Sequence, residues 1–178
     1  MSNDAEKVVV GITGAAYVAD TTQAGPTTSV GVPAGFDAYG YVTQDGIEFA
    51  TDKGTAQIRA WQNSDLVREV ITESTVTYTF ALMESNATVI ESYFGSPMVD
   101  GKIEFRPNET GGRKSFVFDV IDGDKKIRHY IPRGEITQIA PQSWVNGEAV
   151  VYGFTVTAYA TDGIAAEVFY GEFEDAGS

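Results

Sequence analysis

The longest alternating run in the chain, residues 67–82 (VREVITESTVTYTFAL), limits its fold more than any other stretch. In its second half, every other residue is apolar, at Val76, Tyr78 and Phe80, and threonines fill the positions between them. Alternation with period two is typical of a β-strand that buries one face and exposes the other. The run therefore predicts a long strand whose second half is buried on one side.

The sequence period changes directly after this strand. Ser85 or Asn86 can cap the start of a helix, and Gly95 followed by Pro97 can end it. We therefore predict a short helix that covers one side of a sheet. Its apolar residues at helical spacing are Ala87, Ile90, Tyr93 and Phe94.

Length and composition bound the rest of the fold. The 178 residues suggest a single domain over residues 1–178, and 19 glycines with many Thr, Val, Tyr and Phe favour strands joined by turns. Turn signals such as Asp122-Gly123 and Asn146-Gly147 divide the chain into roughly nine or ten strands. We therefore predict a mainly β fold, a β-sandwich or barrel of two packed sheets, with one short flanking α-helix.

Four segments lack the pattern of a regular element. Residues 1–7 are predicted to be a flexible tip and residues 174–178 a tail. Residues 20–35 are rich in Thr, Gly and Pro and predict a long loop. Residues 47–64 predict a long projecting hairpin or loop, with the polar stretch 51–55 (TDKGT) as its tip.

The charge balance excludes some functions. With 25 acidic and 12 basic residues the net charge is −13, whereas a protein that holds nucleic acid normally presents a basic face. The chain has no cysteine, so a disulfide framework and a thiolate metal site are excluded. A polar N-terminus and short apolar runs predict no signal peptide and no membrane span, and hence folding in a reducing cytoplasm.

Candidate catalytic residues are few. His129 is the single histidine, and its alternation with Ile127 and Ile131 favours a structural position inside a sheet. Asp119, Asp122 and Asp124 lack the spacing of a calcium loop and are interpreted as solvated turn residues. We therefore predict no enzyme activity, no metal and no cofactor.

A sugar-binding module is a competing hypothesis. Exposed aromatic rings can stack on sugars, although packing in a core or an interface is the commoner reason for such residues. The candidates are Tyr39, Tyr41, Trp61 and Trp144.

Six motifs in order resemble a known family, the major tail tube proteins of long-tailed, non-contractile phages, and in particular the form found in phages of actinobacteria. The resemblance covers residues 15–173, and it depends on the order of the motifs because none of them is catalytic. The motifs are YGYVTQDG from Tyr39, VREV from Val67, FALMESN from Phe80, FVFD from Phe116, RHYIPRGE from Arg128 and YGFTVTAYA from Tyr152.

The resemblance implies a structural virion protein that forms hexameric rings, which stack into a tube in the phage tail. Each subunit would contribute strands to a continuous inner β-barrel. The implied partners are other copies of the chain, the tape-measure protein inside the tube, the tail terminator and the baseplate or distal tail proteins. DNA would pass through without being bound, since an acidic lumen repels phosphates. A tube of a related secretion system and a carbohydrate-binding, adhesin-like β-sandwich are the alternatives.

The resemblance also assigns roles to residues. The side chains expected to face the lumen are Glu69, Glu73, Thr75, Thr77 and Thr79. The loop expected to reach the next ring contains Thr51, Asp52, Lys53, Gly54, Thr55 and Trp61. The expected core residues are Val70, Val76, Tyr78, Phe80, Ile90, Tyr93, Phe94 and Phe154.

Overall fold

The computed structural model describes residues 5–61 and 63–171. Residues 1–4 of the predicted tip and the whole predicted tail, 174–178, lie outside the described residues. After a single 3-10 turn at Ala5–Lys7, the elements are β1 (Thr13–Asp20), β2 (Asp37–Ala38), β3 (Val42–Arg59), β4 (Leu66–Leu82), α1 (Ala87–Phe94), β5 (Arg113–Asp122), β6 (Lys125–Ile139), β7 (Tyr152–Ala158) and β8 (Glu167–Gly171).

The described strands form one antiparallel sheet in the order β2-β1-β5-β6-β7-β4-β3, and β8 pairs with β6. Strand β6 belongs to both halves of this sheet, because its first half pairs with β5 and β8 and residues 134–139 pair with β7. The sheet folds over so that its halves pack face to face: the ring of Phe118 on β5 lies 5.0 Å from those of Tyr78 and Phe80 on β4. The two packed sheets expected from the sequence are thus two halves of one sheet.

The main core lies between these halves. Tyr78, Phe80, Tyr93 and Phe154 are buried in it, and Val76, Ile90 and Phe94 are partly buried against it. Val70 was expected in the core as well, but in this single chain it is 37% exposed. The reason is that β7 pairs with β4 only over residues 76–82, so the first half of β4 extends beyond the body of the subunit.

Helix α1 begins and ends where the sequence predicts. The side chain of Asn86 caps it by accepting a hydrogen bond from the amide of Val89 at 2.9 Å, and it also donates to the carbonyl of Tyr39 at 3.1 Å. Gly95 ends the helix with φ +66°, a left-handed conformation that glycine adopts without strain. One side chain therefore both starts the helix and ties it to the strand region before β3.

The segment between β1 and β2 forms the predicted long loop, and it is fixed to the outer face of the sheet. Beneath it lies a second, smaller apolar cluster that includes Phe36 and Tyr130. The guanidinium of Arg128 donates to the carbonyls of Thr28 at 2.9 Å and Gly31 at 2.6 Å. These bonds hold the middle of the loop against β6.

The interpretation of Asp119 as a solvated turn residue is wrong. Its side chain is fully buried and accepts hydrogen bonds from Arg128, and it pairs with the ammonium group of Lys126 at 2.8 Å. Asp119 lies opposite Arg128 in the β5–β6 register, three residues before the turn, so the strand carries it under the loop. Asp122 is the last residue of β5, and Asp124 lies in the turn itself.

Candidate functional site

The distal halves of β3 and β4 form a two-stranded ribbon that projects from the body. From Asp52↔Thr75 to Arg59↔Leu66 the two strands pair only with each other among the described strands. Both faces of this ribbon are exposed, including Ile58, Ile71 and the 98% exposed Trp61 at its end. An isolated two-stranded hairpin is marginally stable in water, so exposed apolar side chains on one favour contact with another surface.

The tip of the ribbon is not where the sequence placed it. Thr51, Asp52, Lys53, Gly54 and Thr55 lie inside β3 and pair with β4, whereas the chain reverses between Ala60 and Asp65. The expectation that 51–55 forms the tip of the projecting segment is therefore wrong, because this stretch remains in strand β3. Of the expected inter-ring residues, only Trp61 lies at the turn.

A β-bulge in the ribbon changes which side chains share a face. Gly54 pairs with Glu73, but Thr55 pairs with Ile71, so Thr72 is an extra residue in β4. The Cγ of Glu73 would lie 2.6 Å from a Cβ added at Gly54, which places the Glu73 side chain over Gly54.

The bulge separates two residues that the sequence placed together. Glu73 shares a face with Thr75, Thr77 and Thr79, whereas Glu69 lies with Ile71 on the opposite face. Val70, expected on the core side, lies on the Glu73 side. The assumption of unbroken alternation along residues 67–82 is therefore wrong at Thr72.

A polar surface, here called the threonine face, lies on the side of β4 away from the core. It continues across the sheet, because Thr77 pairs with Thr157 and Thr79 with Thr155. The hydroxyl of Thr137 on β6 lies 2.8 Å from that of Thr157. The threonine face comprises Thr75, Thr77, Thr79, Thr137, Thr155 and Thr157, with the carboxylates of Glu48, Asp52 and Glu73 beside them.

The threonines on β6 and β7 and the carboxylates on β3 were not predicted as part of this surface. The motif Thr155-Val-Thr157 repeats Thr75-Val-Thr77, and this repetition could have identified β7 as the neighbour of β4. Glu48 gave no signal on its own, since its position beside Thr79 follows only from the strand register.

The four strands that carry the threonine face have two open edges. Among the described strands, the outer side of β3 has no hydrogen-bonded neighbour, and neither has the outer side of residues 136–139 in β6. Open edges expose unpaired backbone amides and carbonyls, which natural proteins cover or pair. The surface can therefore extend from one copy of the chain to the next.

The two features that bear on metal binding and catalysis are the clustering of possible metal ligands in the described ranges, 5–61 and 63–171, and the position of His129. No group of three or more His, Asp or Glu residues there is placed to hold a metal ion. His129 is partly buried, and its Nδ1 and the Tyr78 hydroxyl share a hydrogen bond of 2.9 Å. Burial raises the pKa of Tyr78 to about 12 and lowers that of His129 below 6.5.

The aromatic residues considered for sugar stacking do not share one environment. Tyr39 is fully buried, and burial raises the pKa of its hydroxyl, which donates to Ser92 Oγ at 3.0 Å. Tyr41, Trp61 and Trp144 are exposed. Tyr39 is thus a core residue and cannot stack on a sugar.

Comparison with known proteins identifies the fold. The chain is similar to the sheath/tube terminator of PVC, an extracellular contractile injection system, with a TM-score of 0.50 and 11% identity over 93% of this chain and 99% of that one. It is also similar to the tube-terminating cap of the anti-feeding prophage, with a TM-score of 0.50 and 8% identity over 94% and 95% of the two chains. A search of curated proteins finds no significant match.

A family model described as phage tail tube protein matches residues 1–172. Within the described part of the chain, no helix is both long and apolar enough to cross a membrane. The chain therefore belongs to the phage tail tube protein family, and it is a structural component of the tail of a phage-type particle.

Proposed function

We propose that the chain forms hexameric rings that stack into the tail tube of a long-tailed, non-contractile phage of the actinobacteriophage type. The observation that carries this proposal is the threonine face on a sheet with two open edges. In this role the chain is one domain, has no enzyme activity and needs no cofactor. It is made in the host cytoplasm and ends in the virion tail.

Ring closure follows from the two edges. The outer side of β3 in one copy lies beside residues 136–139 of the next, so every edge has a partner once the ring is complete. A head-to-tail contact closes identical copies into a ring when its rotation is a whole fraction of a turn, which for a hexamer is one sixth. The threonine faces then join into one inner wall.

The inner wall suits the passage of DNA. Glu48, Asp52 and Glu73 place negative charge beside neutral threonines, and this surface repels phosphate groups without binding them. The hydroxyls of Thr137 and Thr157 bond to each other, which leaves them less available to a passing polymer. The tape-measure protein occupies this space before DNA does, and the tail terminator and distal tail proteins close the two ends.

The ribbon makes the contact between rings. Its exposed apolar side chains gain burial, at about 25 cal/mol per Å² of apolar surface, only when another copy covers them. The ribbon thereby also gains the packing layer that a two-stranded hairpin lacks.

Electron microscopy of the purified full-length chain tests the proposal. We expect tubes of stacked rings at high protein concentration, and we expect the double variant Ile58→Ser, Trp61→Ser to remain as subunits or single rings. Trp144→Ser is the matched control, because Trp144 is an exposed tryptophan on the body. A native chain that stays monomeric at every concentration and is missing from purified virions would rule out the tube.

A further inference from the structure

The open edge along β3 carries negative charge on the threonine face. Glu48, Asp52 and Glu73 lie there, and the Glu73 side chain lies over Gly54 of β3. None of these carboxylates forms an ion pair within the described residues. From the Glu48↔Thr79 pair to the Gly54↔Glu73 pair, neither of these two described strands places a cation on this face. This side of the sheet is here called the acidic edge.

The opposite edge, along β6 and the start of β5, carries two arginines. Arg113 pairs in register with Glu135, and Glu135 pairs with Thr157, so Arg113 extends the threonine face beyond β6. Its guanidinium lies 4.7 Å from the centre of the Tyr159 ring, and the Tyr159 amide donates to the carbonyl of the exposed Arg133 at 2.8 Å. Neither arginine forms an ion pair within the described residues, whereas the Glu135 carboxylate accepts a hydrogen bond from the segment before β5. This side of the sheet is here called the basic edge.

An unpaired arginine at this position conflicts with the passage of DNA. A guanidinium binds phosphate groups strongly, often through two hydrogen bonds. Arg113 lies on the face that lines the proposed tube, so it would hold the DNA that the carboxylates repel. A carboxylate from outside the subunit neutralises this charge, and the acidic edge of the next copy carries several.

We propose that Arg113 and Arg133 of one copy form ion pairs with Asp52 and Glu73 of the next copy, where the basic edge meets the acidic edge. This inference rests on the proposed ring and names the side chains that join its two edges. Each subunit has a net charge of −13, so two copies repel each other except where local charges of opposite sign meet. The planar guanidinium of arginine can bond a carboxylate through two N–H groups.

The same charges determine which edges can meet. Two acidic edges brought together place carboxylates against carboxylates, and two basic edges place arginines against arginines, so both arrangements are disfavoured. An open strand edge without such charges can pair with any other strand. The head-to-tail contact is the arrangement that pairs opposite charges, and it is also the kind of contact that can close a ring.

Mixing two charge-reversed subunits tests the pairing in the full-length chain. The variant Asp52→Lys with Glu73→Lys makes both edges basic, and the variant Arg113→Glu with Arg133→Glu makes both edges acidic. We expect each variant alone to need a protein concentration about tenfold higher or more for assembly, because its two edges repel. An equimolar mixture should assemble near the native concentration, because the two variants can alternate around a hexamer. Sedimentation and electron microscopy measure all three samples.

Two further variants control for net charge. Asp124→Lys with Glu167→Lys, and Lys7→Glu with Lys125→Glu, make the same changes in charge away from both edges, and each should assemble alone like the native chain. Circular dichroism melting of the unassembled subunits checks that every variant folds.

A neutral variant covers the case in which a reversed variant does not fold. Arg113→Gln with Arg133→Gln removes the ion pairs without adding like charges, so it should also need more protein for assembly, by a smaller factor. If it assembles at the native concentration, the pairing is wrong.

The outcomes separate this inference from the function on which it rests. Assembly of the mixture, but of neither reversed variant alone, supports the pairing. If either reversed variant assembles alone like the native chain, or if the mixture of folded variants fails to assemble, these side chains do not join the edges. If the native chain forms neither rings nor tubes, the proposed function itself fails.

Discussion

The guanidinium of Arg128 holds both carboxylate oxygens of Asp119 beneath the loop between β1 and β2. Its Nε donates to Oδ1 at 2.7 Å and its Nη2 to Oδ2 at 2.8 Å, and both side chains are buried. The same guanidinium donates to two loop carbonyls. One buried ion pair thus connects the β5–β6 hairpin to a loop that has no regular structure of its own.

Removing the Asp119 charge should destabilise the subunit strongly. In Asp119→Asn, the buried Arg128 loses its counter-charge, and breaking a buried pair from one side costs about 3–5 kcal/mol of unfolding free energy. Urea denaturation of the unassembled subunit measures the loss. Glu104→Gln is the control, because the exposed pair between Lys102 and Glu104 is worth about 1 kcal/mol or less. If Asp119→Asn lowers the free energy of unfolding no more than Glu104→Gln does, the Asp119–Arg128 ion pair does not stabilise the subunit.

His129 should make the stability of the subunit depend on pH. Burial lowers the pKa of its imidazole below the unfolded value of 6.5, so the unfolded chain binds the proton more readily than the folded one. Neutral His129 therefore makes its full contribution to the free energy of unfolding above pH 6.5. This contribution is lost as the pH falls through the lower pKa of the folded state. His129→Gln removes this titration, and its melting temperature should change less between pH 7.5 and 5.5, a window of about two units around the ordinary value. Equal slopes in the native and variant proteins would contradict the prediction.

Asn86, the cap of helix α1, should contribute more to the free energy of unfolding than an isolated helix cap does. Asn86→Ala removes the hydrogen bond to the Val89 amide and also the donor to the Tyr39 carbonyl. Loss of a cap alone costs about 1 kcal/mol, so we expect a loss of about 1–2 kcal/mol in urea denaturation. Asn108→Ala, at an exposed turn, is the matched control and should change little. If both variants have the same stability, the double role of Asn86 is wrong.

Local patterns in the sequence were sufficient for the single helix and for the half-buried part of β4. The helix follows from a cap, an apolar period and a terminal glycine that are all within one short stretch. The burial of Tyr78 and Phe80 follows from alternation, because β7 and β3 flank that part of the strand on both sides. Where neighbouring strands are present, a period of two determines which residues are buried.

The same pattern fails where the tertiary structure changes the register. Thr72 is one threonine among many, and only its position opposite the Gly54–Thr55 step makes it a bulge. Val70 lies beyond the last residue that β7 covers, and sequence gives no information on where that cover ends. Asp119 was misinterpreted because its partner, Arg128, lies across a hairpin whose far side is closed by a loop from another part of the chain.

Removing the bulge tests its effect on the ribbon. Inserting an alanine between Gly54 and Thr55 gives Thr72 a partner, which should restore alternation and move residues 66–71 of β4 to the opposite faces, so that Glu69 joins Glu73 and Val70 leaves that side. The body of the subunit should keep its melting temperature within a few degrees, since β7 does not reach this region. In a domain of this size, a change of about 1 kcal/mol in the free energy of unfolding shifts the melting temperature by only about 2–4 °C. Tube growth, measured by sedimentation, should fail. Thr72→Ala keeps the bulge and is the control, and normal growth of the insertion variant would show that the ribbon faces do not matter.

Thiol accessibility can locate the threonine face in the assembled tube, because the chain has no native cysteine. A cysteine at Thr75, which is exposed in the single subunit, should react with a maleimide on a long polymer before assembly and be protected from it in tubes. Val32→Cys is the matched control, since Val32 is exposed on the loop that covers the opposite, outer face of the sheet, and it should react in both states. The thiolate is the species that reacts, and both positions are exposed in the subunit. A difference in reaction rate between the two cysteines that appears only after assembly therefore reports on burial inside the tube. If the cysteine at position 75 reacts in tubes as fast as that at position 32, the threonine face lies on the outside and cannot line the path of DNA.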